Sequence, residues 1–426
     1  MYNNCLSALL AAGLLSSMLG TWPLELRAEE APAQALRVID LETAIRRAWS
    51  NAPALNMAED AIRSMQAEEL QEGVFPNPEI SVGVDDFNNV VYRRQEGDYE
   101  ISYNLSQLIE LGGKRSARQK LATQATLVTQ REYEIQRQDL RLAVVTAFVE
   151  VMGAQENLMV VQDQFKLAQQ ALHAASCKAE AGKVPNLEAK KAEIALSRTL
   201  LLQERAQRNL GLTKKRLSAI WGSNCPDFDG VWLPFYEICP LPTLHSLCAR
   251  LQNQGANPDL AKLEAEAEAA CAAETLERAK KIPDVVLSAG YNQYRLGNNS
   301  VSVGISFPLP IFDRNQGHIC RAQWDLQQVL DAQQAELNRL HLALADAHEE
   351  WTNAYQDAHI LKEEVLPMTL AAFENSKEGY LQGKTDYLDL LDTQRTYFET
   401  HEEYIKVLVD YHQKQAVIQR IVGYKD

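Results

Sequence analysis

Apolar residues recur along this chain with two different periods. The segments Leu55–Glu72 and Leu260–Lys280 are rich in alanine, glutamate and leucine, a composition that predicts a helix in each place. Each is followed by two short stretches in which apolar and polar positions alternate. In EISVGV, Ile80, Val82 and Val84 alternate with Ser81, Gly83 and Asp85; in YEISYNLS, Tyr99, Ile101, Tyr103 and Leu105 alternate with Glu100, Ser102, Asn104 and Ser106. In VVLSAGYN, Val285, Leu287, Ala289 and Tyr291 alternate with Val286, Ser288, Gly290 and Asn292; in SVSVGISF, Val301, Val303, Ile305 and Phe307 alternate with Ser300, Ser302, Gly304 and Ser306. A period of two predicts strands with one apolar face and one small or polar face.

Long helical stretches come next. From Lys114 to Ala181 there is no proline, and Gly153 is the only glycine. At 1.5 Å per residue such a helix spans about 100 Å. Within it Leu121, Val128, Ile135, Leu142 and Val149 recur every seven residues. The corresponding stretch later in the chain runs from Arg314 to about Leu381. There Leu330, Leu337, Leu344 and Trp351 form one heptad series, and Leu340, Ala347, Ala354 and Leu361 the interleaved one. This is coiled-coil spacing, with small residues that allow close approach. Pro367 removes one backbone donor and predicts a local kink. Gly182 and Gly383 supply the conformation a helix C-cap needs. Pro185 restarts the chain near a helix N-terminus, and Asp386 is placed to cap the next helix in the second copy.

These elements are written twice. Pro53 and Pro258 lie 205 positions apart, as do Pro78 and Pro283, while Gly182 and Gly383, and Gly222 and Gly423, lie 201 apart. Four colinear matches define repeat one over 41–222 and repeat two over 244–423, the second about four residues shorter, most simply in a loop. The connector 223–243 carries Pro226, Pro234, Pro240 and Pro242 and is expected to be irregular. Residues 29–40 form a lead-in. Residues 1–28 read as an export signal: Leu6–Leu19 is apolar and small, too short for an anchor, with cleavage expected near Ala28.

Past residue 20 there is no run of some 18 continuous apolar residues, so a bilayer-crossing version of this chain must cross by strands. Alternation alone fits equally a half-buried sheet on a protein core and a membrane barrel with its polar face on a lumen. Four strands cannot close a barrel, and an open edge cannot face lipid, so the membrane reading requires oligomerisation. Three copies give twelve strands. A formal charge of −15 argues against nucleic acid as a partner. Of seven cysteines, Cys225 and Cys239 flank an aromatic, proline-containing stretch and are either a disulfide of an oxidising compartment or unpaired thiols.

The duplication, the hairpins and the long helices together resemble the TolC-type family of outer-membrane factors, also described as outer membrane efflux proteins. Three words carry the resemblance: LSQLIELGGKRSAR (Leu105–Arg118) and FPLPIFDRNQG (Phe307–Gly317) at the two strand-to-helix junctions, and YLQGKTDYLDLLDTQRTY (Tyr380–Tyr397) at the second helix–helix turn. The resemblance implies a mainly α fold with a small membrane β part. Each protomer would be a duplicated helix–strand–strand–long helix–helix unit, and a trimer would form a 12-stranded β-barrel above a 12-helix periplasmic α-barrel. It implies an outer-membrane exit duct, passive and not an enzyme, without cofactors, in a tripartite system. The partners implied are outer-membrane lipid, a periplasmic adaptor of the membrane fusion type and an inner-membrane pump of the resistance-nodulation-division type.

The resemblance further implies adaptor contact at the turns Gly182, Lys183, Val184 and Gly383, Lys384, Thr385, and a periplasmic constriction at Asp389 and Asp392. These two aspartates lie three apart on one helix face; near a helix N-terminus, Asp386 and Asp389 also favour the positive end of the helix for purely structural reasons. Tyr380 and Glu188 fall where the family has a latch between neighbouring helices. IELGGKR and PLPIFDRNQG are more similar to the heavy-metal cation-efflux branch than to the multidrug branch, so the expected cargo is metal cations; a multidrug or type I secretion duct is the alternative within the family. A periplasmic coiled-coil scaffold is the alternative from another class. It explains the heptads and the charge, but poorly the strands, the signal and the duplication.

No residue pattern supports catalysis. LGGKRS lacks the glycine a phosphate loop needs, Leu108 standing in its place, and there is no HExxH, GxSxG or EF-hand pattern. His341 and His348 lie seven apart beside Glu349 and Glu350. They read as solvated helix surface, because a metal site on one helix favours an i, i+4 pair.

Overall fold

A computed structural model describes residues 37–85, 100–182, 184–251, 257–294, 297 and 299–423. The export-signal reading (1–28), the loop Phe87–Asp98 and Lys183 lie outside the described residues, and the lead-in is described only from residue 37.

Each half of the molecule has the same element order. In the first, helix α1 (Leu41–Asn51) and helix α2 (Pro53–Glu72) precede strands β2 (Glu79–Asp85) and β3 (Glu100–Ile109), then helices α3 (Lys114–Glu180) and α4 (Asn186–Ile220). In the second, α5 (Leu244–Leu251) and α6 (Pro258–Ala279) precede β5 (Val285–Tyr294) and β6 (Ser300–Ser306). These lead into α7 (Gln316–Ile360), a π-helical turn at Leu361–Val365, α8 (Leu366–Gln382) and α9 (Tyr387–Val422). α3 has 67 residues, about 100 Å of uninterrupted helix. Part of it is long and apolar enough to cross a membrane, with a mean hydropathy of 1.3, but 56% of that window is buried inside the protein. It is therefore the central helix of a core. Gly153 lies in this window because α9 passes close by: a Cβ there would sit 2.4 Å from Val409 Cγ2.

The second long helix is broken where a proline kink is expected, but the break starts upstream. The π turn closes with the Leu366 amide donating to the Leu361 carbonyl. Pro367 then stands in the first turn of α8, where its missing N–H costs least. A wide turn absorbs the proline without ending the helix.

The connector is more ordered than its four prolines predict. Strand β1 (Val38–Asp40) pairs in parallel with β4 (Gly230–Trp232). The connector's Phe228, Val231 and Phe235 join Val144, Phe148, Leu217 and Leu408 in the largest buried cluster. Gln155 on α3 accepts from the Val231 amide at 2.8 Å and donates to the Val231 carbonyl at 3.0 Å. This belt wraps the middle of the long helices. Cys225 and Cys239 are both exposed, unbridged thiols in this structure.

Candidate functional site: a two-faced sheet and a helical tip

The four strands form one antiparallel sheet in the order β2-β3-β5-β6. Its register aligns the alternation of all four. Ile80, Leu105, Ala289 and Val303 stand in one cross-strand row, and Val82, Tyr103, Tyr291 and Val301 in the next. On the opposite face Ser81, Asn104, Gly290 and Ser302 form a row, and Gly83, Ser102, Asn292 and Ser300 another. The apolar face is bare: Ile80 is 78% exposed and Val303 85%. A sheet folded onto its own core would cover that face. β2 and β6 have no partner on their outer edges among the described residues.

The junction words hold the sheet to the helices. Gly112 and Gly113 both take left-handed φ, +71° and +72°, and a Cβ on Gly112 would meet Ile282 at 2.8 Å. Asp284 of the second half accepts from the Leu111 amide at 3.1 Å and from Lys114 Nζ at 2.7 Å. Arg118 pairs with Glu110 and, at 3.0 Å, with Glu72. In the second half Asn315 takes the left-handed turn at φ 59° and donates to the Glu277 carbonyl at 2.8 Å.

At the other end of the helices, two helix–turn–helix tips pack together through Ala175, Ala192, Phe373, Tyr380, Tyr387 and Leu390. The second turn is a Schellman cap. Lys384 N–H donates to the Gly379 carbonyl at 2.8 Å, Gly383 N–H to the Tyr380 carbonyl at 3.2 Å, and Gly383 takes φ 74°. Gly182 takes φ 67° at the equivalent point of the first turn. Asp386 caps α9, accepting from the Tyr387 amide at 2.7 Å.

Asp389 and Asp392 are both exposed on the first turns of α9, with no ion-pair partner among the described residues. Arg395, the nearest basic residue along the helix, is occupied by Glu399 at 2.7 Å. Tyr380 is buried, with Lys178 Nζ 3.6 Å above its ring and bonded to its carbonyl at 2.6 Å. Burial, then the nearby Glu188 and Asp386 carboxylates, raise the Tyr380 pKa. Tyr387, its ring 5.6 Å from that of Tyr380, is pushed up to about 12 by burial and then by Tyr380 and Glu188. Tyr380 Oη, Tyr387 Oη and Glu188 Oε2 are all buried without a hydrogen-bond partner among the described residues. Sequence reasoning singled out Tyr380 and Glu188 but missed Tyr387 and Lys178, whose roles depend on packing between the two hairpins. Among the described residues no cluster of three or more His, Cys, Asp or Glu side chains could hold a metal ion.

The model of a family described as "Outer membrane efflux protein" matches residues 44–223 and 252–424. The cobalt-zinc-cadmium resistance protein CzcC of Cupriavidus metallidurans is 31% identical over 396 residues, 92% of each chain. The nickel-cobalt-cadmium resistance protein NccC of Alcaligenes xylosoxydans xylosoxydans is 24% identical over 310 residues, covering 72% of this chain and 68% of that one. Among solved structures, CusC superposes with a TM-score of 0.73 at 17% identity, covering 91% of this chain and 93% of its own. VceC of Vibrio cholerae gives 0.71 at 17% identity, covering 90% and 97%.

Proposed function

Because the chain belongs to the outer membrane efflux protein family, whose members are non-enzymatic outer-membrane transport channels, we propose that it is the passive exit duct of a tripartite system that exports divalent metal cations. The open sheet carries the reading. It has an exposed apolar face, a small polar face and two edges unpaired among the described residues, at one end of helices about 100 Å long. In lipid every backbone group must be satisfied, so such edges must be closed by neighbours. Three protomers supply twelve strands, with the Ile80 and Val82 rows on lipid and the Ser81 and Gly83 rows on the lumen. β3 and β5 have ten residues each, the length a tilted strand needs to cross the apolar band. The same threefold arrangement makes a twelve-helix tunnel of α3, α4, α7–α8 and α9.

Asp389 and Asp392 then form the constriction, six carboxylates around the axis, which favours cations and repels itself at neutral pH. Tyr380, Tyr387 and Glu188 are the latch. Their three unpartnered oxygens lie close enough for Glu188 to raise both tyrosine pKa values, and a small shift of α8 against α4 would let a tyrosine hydroxyl donate to the carboxylate. The turns Gly182–Val184 and Gly383–Thr385 are the docking points for a membrane-fusion adaptor and, beyond it, an inner-membrane pump. Metal cations are the cargo by likeness to the metal-resistance relatives, and the acidic mouth suits that charge.

Planar-bilayer recording tests the duct. The wild type should give small, cation-selective conductance that divalent cations block, and Asp389→Ala with Asp392→Ala should raise the conductance and weaken the block. Unchanged conductance in the double variant would remove the gate assignment, and absence of channels altogether would remove the duct.

A further inference from the structure

His341 and His348 lie too far apart on their helix to share an ion, but a mixed pair on α3 has chelating spacing. His173 and Cys177 are four residues apart, so they share a helix face. Both side chains are exposed, and Cys177 Sγ lies 3.9 Å from His173 Nε2. A zinc-like ion sits about 2.3 Å from a thiolate and about 2.05 Å from an imidazole nitrogen. Those lengths across the observed gap give an S–metal–N angle of about 125°, and closing the gap by a few tenths of an ångström brings it to tetrahedral. The two donors are therefore already set for chelation by one ion, without backbone movement.

The surroundings leave the pair available. Lys178, the adjacent cation, is turned into the tip, over the Tyr380 ring and onto its carbonyl. The pair lies about one and two turns before Glu180, where α3 ends, on average about 8 Å along the axis from the end of the helix. A thiolate and an imidazole select soft and borderline ions such as Zn²⁺, Cd²⁺ and Co²⁺ over Mg²⁺ or Ca²⁺, which prefer oxygen. With two protein donors, water completes the shell, so binding is weak and exchangeable.

We propose that His173 and Cys177 form a two-donor docking site for thiophilic divalent cations on the flank of the periplasmic tip. Its use by passing cargo rests on the metal-duct reading, but the binding itself rests on the geometry of this helix and would survive failure of that reading.

The test is site-resolved thiol protection in the purified full-length protein. N-ethylmaleimide labelling of each cysteine is followed by mass spectrometry while Cd²⁺ or Zn²⁺ is titrated, with Mg²⁺ as the control ion. Cys271 and Cys320 are exposed thiols with no histidine three or four residues away and serve as internal references. Cd²⁺ and Zn²⁺ should protect Cys177 well before either reference, and Mg²⁺ should not. Removing a direct ligand should cost at least the roughly tenfold that loss of a supporting contact costs. His173→Ala should shift protection by about that factor, and His173→Cys should restore it. Equal protection in wild type and His173→Ala, or protection of Cys177 no better than that of Cys271 and Cys320, would overturn the site.

Discussion

Asp386 and Gly383 both act locally at the second helical tip: one caps the helix that follows it, the other ends the helix that precedes it. The junction words proved to be structural at the residue scale, with Gly112 making room for Ile282 and Lys114 reaching Asp284 of the other half. Tyr387 and Lys178 were not legible, since their environment exists only when two hairpins 200 residues apart meet. The same is true of His401 and His412 on α9. Burial is the largest influence on both and lowers their pKa; Glu156 and Asp163 oppose it at His401, and the Phe235 carbonyl opposes it at His412. The folded protein thus binds these protons less readily than the unfolded chain, so their contribution to stability is full above about pH 6.5 and is lost as pH falls below it. Apparent melting temperature should drop between about pH 8 and pH 5, and His412→Gln should flatten that drop. An identical pH slope in the variant would show that His412 contributes nothing to it.

At the scale of elements, the long helices and the strands were predictable because their periods are intrinsic to the chain. α3 begins at Lys114, directly after Gly112 and Gly113, and ends one residue short of its expected limit. The strands fall on the alternating words, and their register keeps the Ile80 and Val82 rows on one face. Three features escaped: the π turn ahead of Pro367, the β1–β4 pair and the ordered connector. The last two depend on contact with a distant partner, which hydrophobic periodicity does not encode; the first is a local response to the proline. The two faces of the sheet make opposite predictions for neighbouring residues. In the proposed barrel Val303→Arg would put a charge on the lipid face and should destabilise it by about 2–4 kcal/mol near the midplane. Ser302→Arg, one position away on the lumen face, should leave assembly intact and alter conductance. Trimer recovery after extraction, read by native mass measurement, separates the two; equal recovery would mean that the Val303 face does not meet lipid.

At the scale of the whole molecule, one protomer is an incomplete object. Among the described residues it has a bare apolar sheet face, unpaired edges and exposed aspartates at the far tip, features that the proposed threefold assembly would put to use. The resemblance of three short words, read beside the duplication, pointed to the outer membrane efflux family, and the family model matches both halves. Cargo is the least legible property, because a duct that does not bind its cargo tightly leaves few residues to record it. The measurement that tests the account most directly is a resistance panel in the natural host. The gene is deleted and complemented, and growth inhibition by divalent and monovalent metals is compared with inhibition by dyes, detergents and antibiotics. The account predicts hypersensitivity confined to a few divalent metals and restored by the wild-type gene. Hypersensitivity to amphiphiles with unchanged metal tolerance would contradict the cargo and move the duct to the multidrug branch.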